Sequence, residues 1–319
     1  MADVHAPRTR YRSIVTDSCR WDGFAFRPGD VVISTPPKSG TTWTQMLCAL
    51  LIFDGPNFPA PLGDLSPWLD MCNRPLAEVT AALAAQTHRR FIKTHTPLDG
   101  LPLHPEATYV VVGRDPRDVM ISYEHHAANM DFEHFLELRA AAVGNEDLAE
   151  LPPRRVPSGD PVERFWTFVT DESRTIPPPT LASVLHHLDT GWQRRHEPNV
   201  ALIHYADLTA DLPGELLRLA RVLGIPCSAE RARVLAPEAS LARMRERAAE
   251  DAPSASQGTR GGWKDVRAFF RSGSTGEWRE RVSAADLATY EARVADLVSP
   301  NLAAWVHGGR LASGVDLER

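Results

Sequence analysis

Short apolar runs, rich in β-branched residues, alternate along the chain with longer stretches of helical periodicity. The apolar runs predict four strands, at 28–33, 89–94, 108–113 and 199–204. The third run is almost entirely apolar, which is typical of parallel strands buried on both faces. Residues 212–223 predict an amphipathic helix that ends at Gly224. Strands that alternate with helices predict an α/β fold with a mainly parallel central sheet flanked by helices.

The length of 319 residues is suitable for one large α/β domain, and we expect a single domain over residues 1–319. Three segments rich in Pro, Gly, Ser or charge interrupt the pattern and are expected to be insertions or loops. They lie at 56–67, 151–161 and 245–271. The composition of the third is compatible with both a lid and an ordinary surface loop.

Composition and charge exclude several classes of protein. The formal net charge is −6, so any anion site must be a local basic cluster, and nucleic acid is not an expected partner. The four cysteines form no C-x-x-C pair, which favours free thiols over a zinc site or a disulfide framework. The N-terminal segment lacks the apolar core of a signal peptide, and no apolar run approaches 18 residues. We therefore expect no transmembrane segment and a cytoplasmic location.

The segment after the first predicted strand carries the chemistry of an anion site. Residues 34–42, STPPKSGTT, lead from a strand into an amphipathic helix, where backbone N–H groups and the positive helix end converge. Lys38 adds a charge and the two following threonines add hydroxyl groups. The nucleotide P-loop has its Lys after the second Gly, whereas Lys38 precedes Gly40. An isolated K-S-G-T could be an ordinary polar turn, but the strand and helix around it favour a phosphate site.

Four segments, in order, resemble the PAPS-dependent cytosolic sulfotransferase family, in which PAPS is 3′-phosphoadenosine 5′-phosphosulfate. TPPKSGTTW, at 35–43, is similar to the 5′-phosphosulfate loop of the family, and KTHTPLDGLP, from Lys93, to its catalytic K-T-H-x-P segment. RDPRDVMISYEH, from Arg114, resembles the 3′-phosphate segment, and FFRSGSTGEW, from Phe269, the R-K-G-x-x-G-x-W motif. The resemblance implies a bacterial sulfotransferase with a P-loop-kinase-like fold, PAPS as the sulfuryl donor and no metal.

The resemblance also implies which residues contact the nucleotide. They are Lys38, Ser39, Gly40, Thr41, Thr42, Trp43, Arg114, Ser122, Tyr205, Arg271, Ser272 and Gly273. Arg114 and Ser122 would bind the 3′-phosphate together with the late loop, which contains Arg271, Ser272 and Gly273. Trp43 would stack on the adenine. This sequence departs from the family pattern at Ser272, where a Lys is usual, and at Leu241, where an aromatic residue is common.

The residues alone leave other roles open for two of these positions. Arg114 could pair with Asp115 or Asp118, and Trp43 could be a core aromatic residue on its helix. For the 3′-phosphate, an Arg just past a strand end is well suited, because a guanidinium can donate two parallel hydrogen bonds to phosphate oxygens.

The K-T-H segment supplies the predicted catalytic residues. His95 is the candidate general base, because a neutral imidazole near pH 7 can accept an alcohol proton. Lys93 lies two residues earlier on the same predicted strand, so both side chains share one face. Lys93 would stabilise the transferring sulfuryl oxygens, and Lys38 the leaving phosphate oxygen. His125 and His126 are interpreted as ordinary helix residues.

Two other functions remain open at this stage. A P-loop kinase using ATP and Mg²⁺ is disfavoured by the position of Lys38 and by the lack of a clear second metal carboxylate. A non-catalytic binder of nucleotide or lipid is disfavoured because it would not need Lys38, Lys93 and His95 together. In the family, the acceptor is a phenol, steroid, amine or carbohydrate hydroxyl, and bacterial members include glycolipid sulfotransferases.

The sequence says less about the acceptor and the assembly. Apolar residues in the acceptor loops suggest a small molecule or glycolipid with a hydrophobic part, although they could equally be core: Phe58, Trp68, Leu69, Phe132 and Phe135. Residues 279–288 do not match the dimer segment of the animal members, so a homo-oligomer of another form remains open.

Overall fold

The computed structural model describes residues 4–151, 157–174, 178–247, 263–265, 267–270, 273 and 275–317. Arg271, Ser272 and most of the predicted loop at 245–271 lie outside the described residues, as does part of the predicted loop at 151–161. The predicted loop at 56–67 is described, and it contains one short helix, Leu62–Leu65.

The described residues form a four-stranded sheet in which every strand is parallel to its neighbours. The strands are β1 (Val31–Ser34), β2 (Phe91–Thr94), β3 (Thr108–Gly113) and β4 (Val200–His204), in the order β2-β1-β3-β4. The predicted α/β fold with a parallel sheet is confirmed. β1 begins three residues later than predicted, because Gly29 has φ +85° and the carboxylate of Asp30 accepts the Arg27 N–H at 2.8 Å. Those contacts form a turn before the strand.

Helices connect and cover the strands. In chain order they are α1 (Thr41–Ile52), α2 (Leu62–Leu65), α3 (Leu76–Ala85), α4 (Pro116–Asn129), α5 (Phe132–Val143), α6 (Pro161–Thr170), α7 (Leu181–Trp192), α8 (Tyr205–Ala210), α9 (Leu212–Leu223), α10 (Ala229–Leu235), α11 (Leu241–Glu246), α12 (Ala284–Leu297) and α13 (Pro300–Ser313). The predicted helix at 212–223 is confirmed, and Gly224 ends it in the left-handed conformation. Across the described stretches, no helix combines the length and apolar character needed to cross a bilayer.

Two apolar cores lie on opposite faces of the sheet. Val31 and Ile33 of β1 pack with α1, α2, α9 and α10 on one face. Val32 of β1 points the other way and packs with α3, α4, α6, α7, α12 and α13. All residues of the four strands are buried, which explains their nearly continuous apolar character.

The parallel arrangement brings the carboxyl ends of all four strands to one edge of the sheet. After β1 the chain continues into the loop 35–40, and after β2 it continues into His95. Arg114 follows β3 directly, and Tyr205 follows β4 at the start of α8. Ligands of open parallel sheets bind at this edge. Topology alone therefore gathers residues that lie up to 170 positions apart in the chain (Thr35 to Tyr205).

We expect the substitution Gly113→Ala, at the end of β3, to lower the free energy of unfolding by about 1–3 kcal/mol. A Cβ atom at this position would lie 2.7 Å from the Trp305 ring and 2.9 Å from the His204 ring, and both rings are buried. Urea denaturation measures the change. Gly159→Ala is the control, because a Cβ there meets no heavy atom within 4 Å. Equal stability of the two variants would contradict this packing.

Candidate active site

The loop between β1 and α1, residues 35–40, is the predicted anion site. Lys38 and Gly40 have φ values of +66° and +104°, in the left-handed region. Gly40 is the N-cap of α1 and supplies no side-chain cap, so the first N–H groups of the helix are directed to the loop. The Ser39 hydroxyl oxygen is buried and has no hydrogen-bond partner in the described part of the chain. A Cβ on Gly40 would lie 3.2 Å from the Tyr205 ring. A side chain at position 40 would therefore be strained and would crowd Tyr205.

His95 is attached directly to this loop. Its Nδ1 lies 2.7 Å from the carbonyl O of Thr35 and 3.3 Å from the Thr35 hydroxyl, which in turn lies 2.6 Å from the Thr41 hydroxyl. The Thr35 N–H donates to the carbonyl O of Thr94, at 3.2 Å, and extends the pairing of β1 with β2. A carbonyl oxygen can only accept, so Nδ1 carries the proton. In the neutral ring Nε2 is then the basic nitrogen.

The electrostatics of the K-T-H segment keep His95 neutral. Burial lowers the pKa of His95 to about 3, and the positive charges of Lys93 and Lys38 add to the decrease. Burial also lowers the pKa of Lys93 to about 8, although the carboxylate of Asp70 opposes this. At pH 7 the site therefore combines a neutral imidazole with a Lys93 side chain that is mainly in the ammonium form.

Asp70 stabilises the carboxyl end of β2. It is fully buried, and one carboxylate oxygen accepts hydrogen bonds from the hydroxyls of Thr94 and Thr96, the second at 2.6 Å. These threonines are the residues on either side of His95. Burial raises the pKa of Asp70, and the threonine hydrogen bonds partly offset this. The contacts fix the backbone that presents the imidazole.

Each of three cations at the site lies over an aromatic ring. Lys93 Nζ is 4.6 Å from the ring centroid of Trp68, and Lys38 Nζ is 4.7 Å from that of Phe269. The Arg114 guanidinium lies 4.2 Å from the centroid of Tyr205. Aromatic faces stabilise cations without cancelling their charge, so the positive potential remains available to an anionic ligand. Trp68 also packs edge-on against His95, with ring centroids 4.6 Å apart, so Lys93 and His95 share one face as predicted.

Arg114, which is predicted to bind the 3′-phosphate, contacts the loop 35–40. Its guanidinium donates to the carbonyl O of Lys38 at 3.0 Å. The two carboxylates considered as its partners have other contacts. Asp115 pairs with Arg117 at 2.7 Å, and Asp118 accepts the Gly276 N–H at 2.7 Å. This last bond attaches the late segment to α4.

The remaining predicted nucleotide residues lie around the same edge. Trp43, half-buried, packs edge-on against Tyr205 with centroids 5.2 Å apart. The Tyr205 hydroxyl lies 3.5 Å from the carbonyl O of Gly273, which has φ +67°. A Cβ on Gly273 would meet Leu241 at 2.6 Å, so Leu241 borders the late loop where an aromatic residue was expected. Ser122 is half-buried within α4. Arg271 and Ser272 are not among the described residues.

One residue that sequence reasoning treated as an ordinary helix residue belongs to the site. His126 Nδ1 lies 3.4 Å from Lys38 Nζ, and its ring packs against Trp263 and Phe269. Burial and the charge of Lys38 lower the pKa of His126 well below its usual value. No local pattern in the sequence distinguished His126 from its neighbour His125.

The predicted apolar acceptor residues do not form one surface. Leu69 and Phe135 are buried, and Phe58 packs near Phe53 on the face of the sheet that carries α1. Trp68 is the one of the five with a described contact to His95. The described residues contain no group of three or more His, Cys, Asp or Glu side chains arranged to hold a metal ion.

Solved structures with similar folds agree with this architecture. One is retinol dehydratase in complex with androsterone and inactive cofactor PAP, with a TM-score of 0.66, 24% identity, and coverage of 89% of this chain and 86% of that chain. Another is mouse sulfotransferase SULT7A1 complexed with PAP, with a TM-score of 0.63, 18% identity and coverage of 89% of both chains. At these identities the likeness concerns the fold.

The sequence relatives include a more similar protein. A glycolipid sulfotransferase of Mycobacterium bovis is 48% identical over 316 residues, which cover 95% of both chains. Sulfotransferase 1E1 of Bos taurus is 23% identical over 283 residues, which cover 86% of this chain and 85% of its own. The family model of the sulfotransferase domain matches residues 28–299. The chain therefore belongs to the sulfotransferase domain family.

Proposed function

We propose that this protein transfers the sulfuryl group of PAPS to a hydroxyl group of a glycolipid, with His95 as the general base. The observation that carries the proposal is the 2.7 Å hydrogen bond between Nδ1 of His95 and the carbonyl O of Thr35. It fixes a basic nitrogen beside the loop that would hold the phosphosulfate. A protein that only bound the nucleotide would not require a base at that point.

The donor would be held at two anion sites on one sheet edge. The loop 38–42 would bind the 5′-phosphosulfate, through the N–H groups of α1 and the hydroxyl of Ser39. Arg114, with Ser122 and the late loop, would bind the 3′-phosphate. The buried Ser39 hydroxyl, which has no hydrogen-bond partner among the described residues, supports an anion at the first site. PAPS would supply the sulfuryl group and an adenosine bisphosphate leaving group.

Three side chains of the site would have separate roles in the transfer. Nε2 of His95 accepts the proton as the acceptor oxygen forms its bond to sulfur. The Lys93 ammonium stabilises charge on the sulfuryl oxygens, and Lys38 does so on the departing phosphate oxygen. A bound anion raises the pKa of His95, because it offsets the charges of Lys93 and Lys38 that lower it. Binding of the donor would thereby strengthen the base.

A glycolipid is the acceptor that the relatives favour. The mycobacterial protein named a glycolipid sulfotransferase shares 48% identity across 95% of this chain. The animal relatives in the same family are about half as similar, at 22–28% identity. A glycolipid also has the hydrophobic part that we expected of the acceptor, and the proposed location of the transfer is the cytoplasm.

We expect His95→Ala to lower turnover by ~10²–10⁴-fold, because the acceptor proton then has no positioned base. Affinity for adenosine 3′,5′-bisphosphate, measured by calorimetry, should change by less than about threefold, since the anion sites remain. His196→Ala is the control, because His196 is exposed. Full turnover in His95→Ala would refute the assignment.

We expect kcat/KM for PAPS to fall above a pH of about 8, by about tenfold per pH unit. Lys93 is charged below its pKa of about 8 and neutral above it, so the stabilising ammonium is lost as the pH rises. The profile should be measured with a sugar acceptor, whose hydroxyls do not titrate in this range. In Lys93→Arg the guanidinium stays charged, so the fall near pH 8 should disappear even if overall activity is lower. Its persistence in that variant would show that another group titrates.

A further inference from the structure

A cavity of about 380 Å³ opens beside His95, between the strand end and the N-terminal segment. Its size lies within the ~300–1,000 Å³ range of small-molecule sites. Among the described residues, every side chain that lines it carries a polar or ionisable group, including Thr9, Tyr11, His95, Thr96, Asp99 and Arg174. An acceptor bound there would meet hydroxyl, carboxylate and guanidinium groups set among the apolar atoms of the same side chains, which contribute the larger part of the cavity surface.

Asp99 is the carboxylate of this cavity. It lies four residues after His95, in a short 3₁₀ turn, Leu98–Gly100. Its carbonyl O accepts the N–H groups of Arg8 and Thr9, at 2.7 and 3.1 Å, which fixes the N-terminal segment across the cavity. The Tyr11 hydroxyl donates to the carboxylate, with oxygen distances of 2.9 and 3.0 Å, and His186 Nε2 lies 3.1 Å from it.

The carboxylate of Asp99 has hydrogen-bonding capacity beyond these contacts. A carboxylate offers about four acceptor positions. Tyr11 and His186 use two of them, and the Thr9 hydroxyl makes only a long contact of 3.4 Å. The Asp99 side chain is 22% exposed, and it lines the cavity. Burial alone would raise the pKa of Asp99, but the bonds from His186 and Tyr11 outweigh this and hold the pKa below its usual value. The group is therefore an ionised acceptor at neutral pH.

This chemistry selects between acceptor classes. A phenol or a steroid alcohol offers one hydroxyl group for His95 and a hydrocarbon body for the cavity wall. Hydrocarbon packed against Asp99 and Arg174 would remove water from charged groups without replacing its hydrogen bonds, which is unfavourable. A sugar ring offers several hydroxyl groups at fixed spacing. One can reach His95 while others bond to the wall.

We infer that this cavity binds the carbohydrate part of the acceptor, and that Asp99 accepts a hydrogen bond from a sugar hydroxyl close to the one that is sulfated. Tyr11 and His186 are positioning residues, because they act by orienting Asp99. This inference rests on the proposed function and deepens it. Selectivity for a sugar would depend on the carboxylate of Asp99, which belongs to the same segment as His95 and accepts a hydrogen bond from Tyr11 of the N-terminal segment.

The test compares two acceptors with the full-length protein and PAPS: n-octyl β-D-glucoside, below its micelle concentration, and 2-naphthol, which has a single hydroxyl. We expect the wild type to use the glucoside with the higher kcat/KM. In Asp99→Asn, which keeps the volume of the side chain, we expect the KM for the glucoside to rise about tenfold or more. The KM for 2-naphthol and the affinity for adenosine 3′,5′-bisphosphate should change less than threefold.

Two further variants guard against a folding defect. Tyr11→Phe removes one hydroxyl that orients Asp99, and it should raise the KM for the glucoside by a smaller factor, with kcat less affected. Asp54→Asn, an exposed carboxylate beyond the C-terminal end of α1, is the matched control and should behave as the wild type. If Asp99→Asn does not fold, the Tyr11→Phe result decides.

The outcomes separate the inference from the proposed function. Equal losses for both acceptors, or no loss for the glucoside in both Asp99→Asn and Tyr11→Phe, would overturn the inference. So would transfer to 2-naphthol by a wild type that does not use the glucoside, and in that case the sulfuryl transfer itself would stand. Failure of the wild type to sulfate either acceptor or to release sulfate from PAPS would overturn the proposed function, and the inference with it.

Discussion

The hydrogen bond between Nδ1 of His95 and the carbonyl O of Thr35 is the contact on which the rest of the site depends. It spans 2.7 Å and joins the ends of β1 and β2 at the carboxyl edge of the sheet. The carbonyl group belongs to the loop 35–40, and the donor is the imidazole of His95. Because a carbonyl oxygen accepts only, the same bond fixes the tautomer of the ring. One hydrogen bond thus sets both the orientation of the His95 ring and the nitrogen that carries its proton. Asp70 stabilises the backbone on either side of His95 through the hydroxyls of Thr94 and Thr96.

The site is a local concentration of positive charge on a protein whose formal net charge is −6. Lys38, Lys93 and Arg114 each lie over an aromatic ring, and Asp115 pairs with Arg117. Aromatic faces stabilise cations without cancelling their charge. Burial lowers the pKa of His95, and the charges of Lys93 and Lys38 add to this decrease.

The sequence predicted the sheet and the gathering of the site well, for a simple physical reason. In parallel strands the residues that follow each strand share one edge, so the phosphate loop, His95, Arg114 and Tyr205 could be brought together from strand positions alone. Contacts between distant side chains were not predictable in this way. His126 meets Lys38 because of how α4 rotates against the loop, and no local pattern encodes that rotation. The cavity beside His95 was not predictable either, because it depends on how the N-terminal segment packs against the turn that contains Asp99.

The central claim is that Nδ1 of His95 bears the proton in a neutral ring while Nε2 is available as the base. Long-range ¹H–¹⁵N correlation spectra of ¹⁵N-histidine-labelled protein at pH 7 report this directly, and His95→Ala assigns the signal. The account predicts a neutral Nδ1–H tautomer for His95, with no sign of titration down to a pH of about 5. An Nε2–H tautomer, or an imidazolium at pH 7, would contradict it.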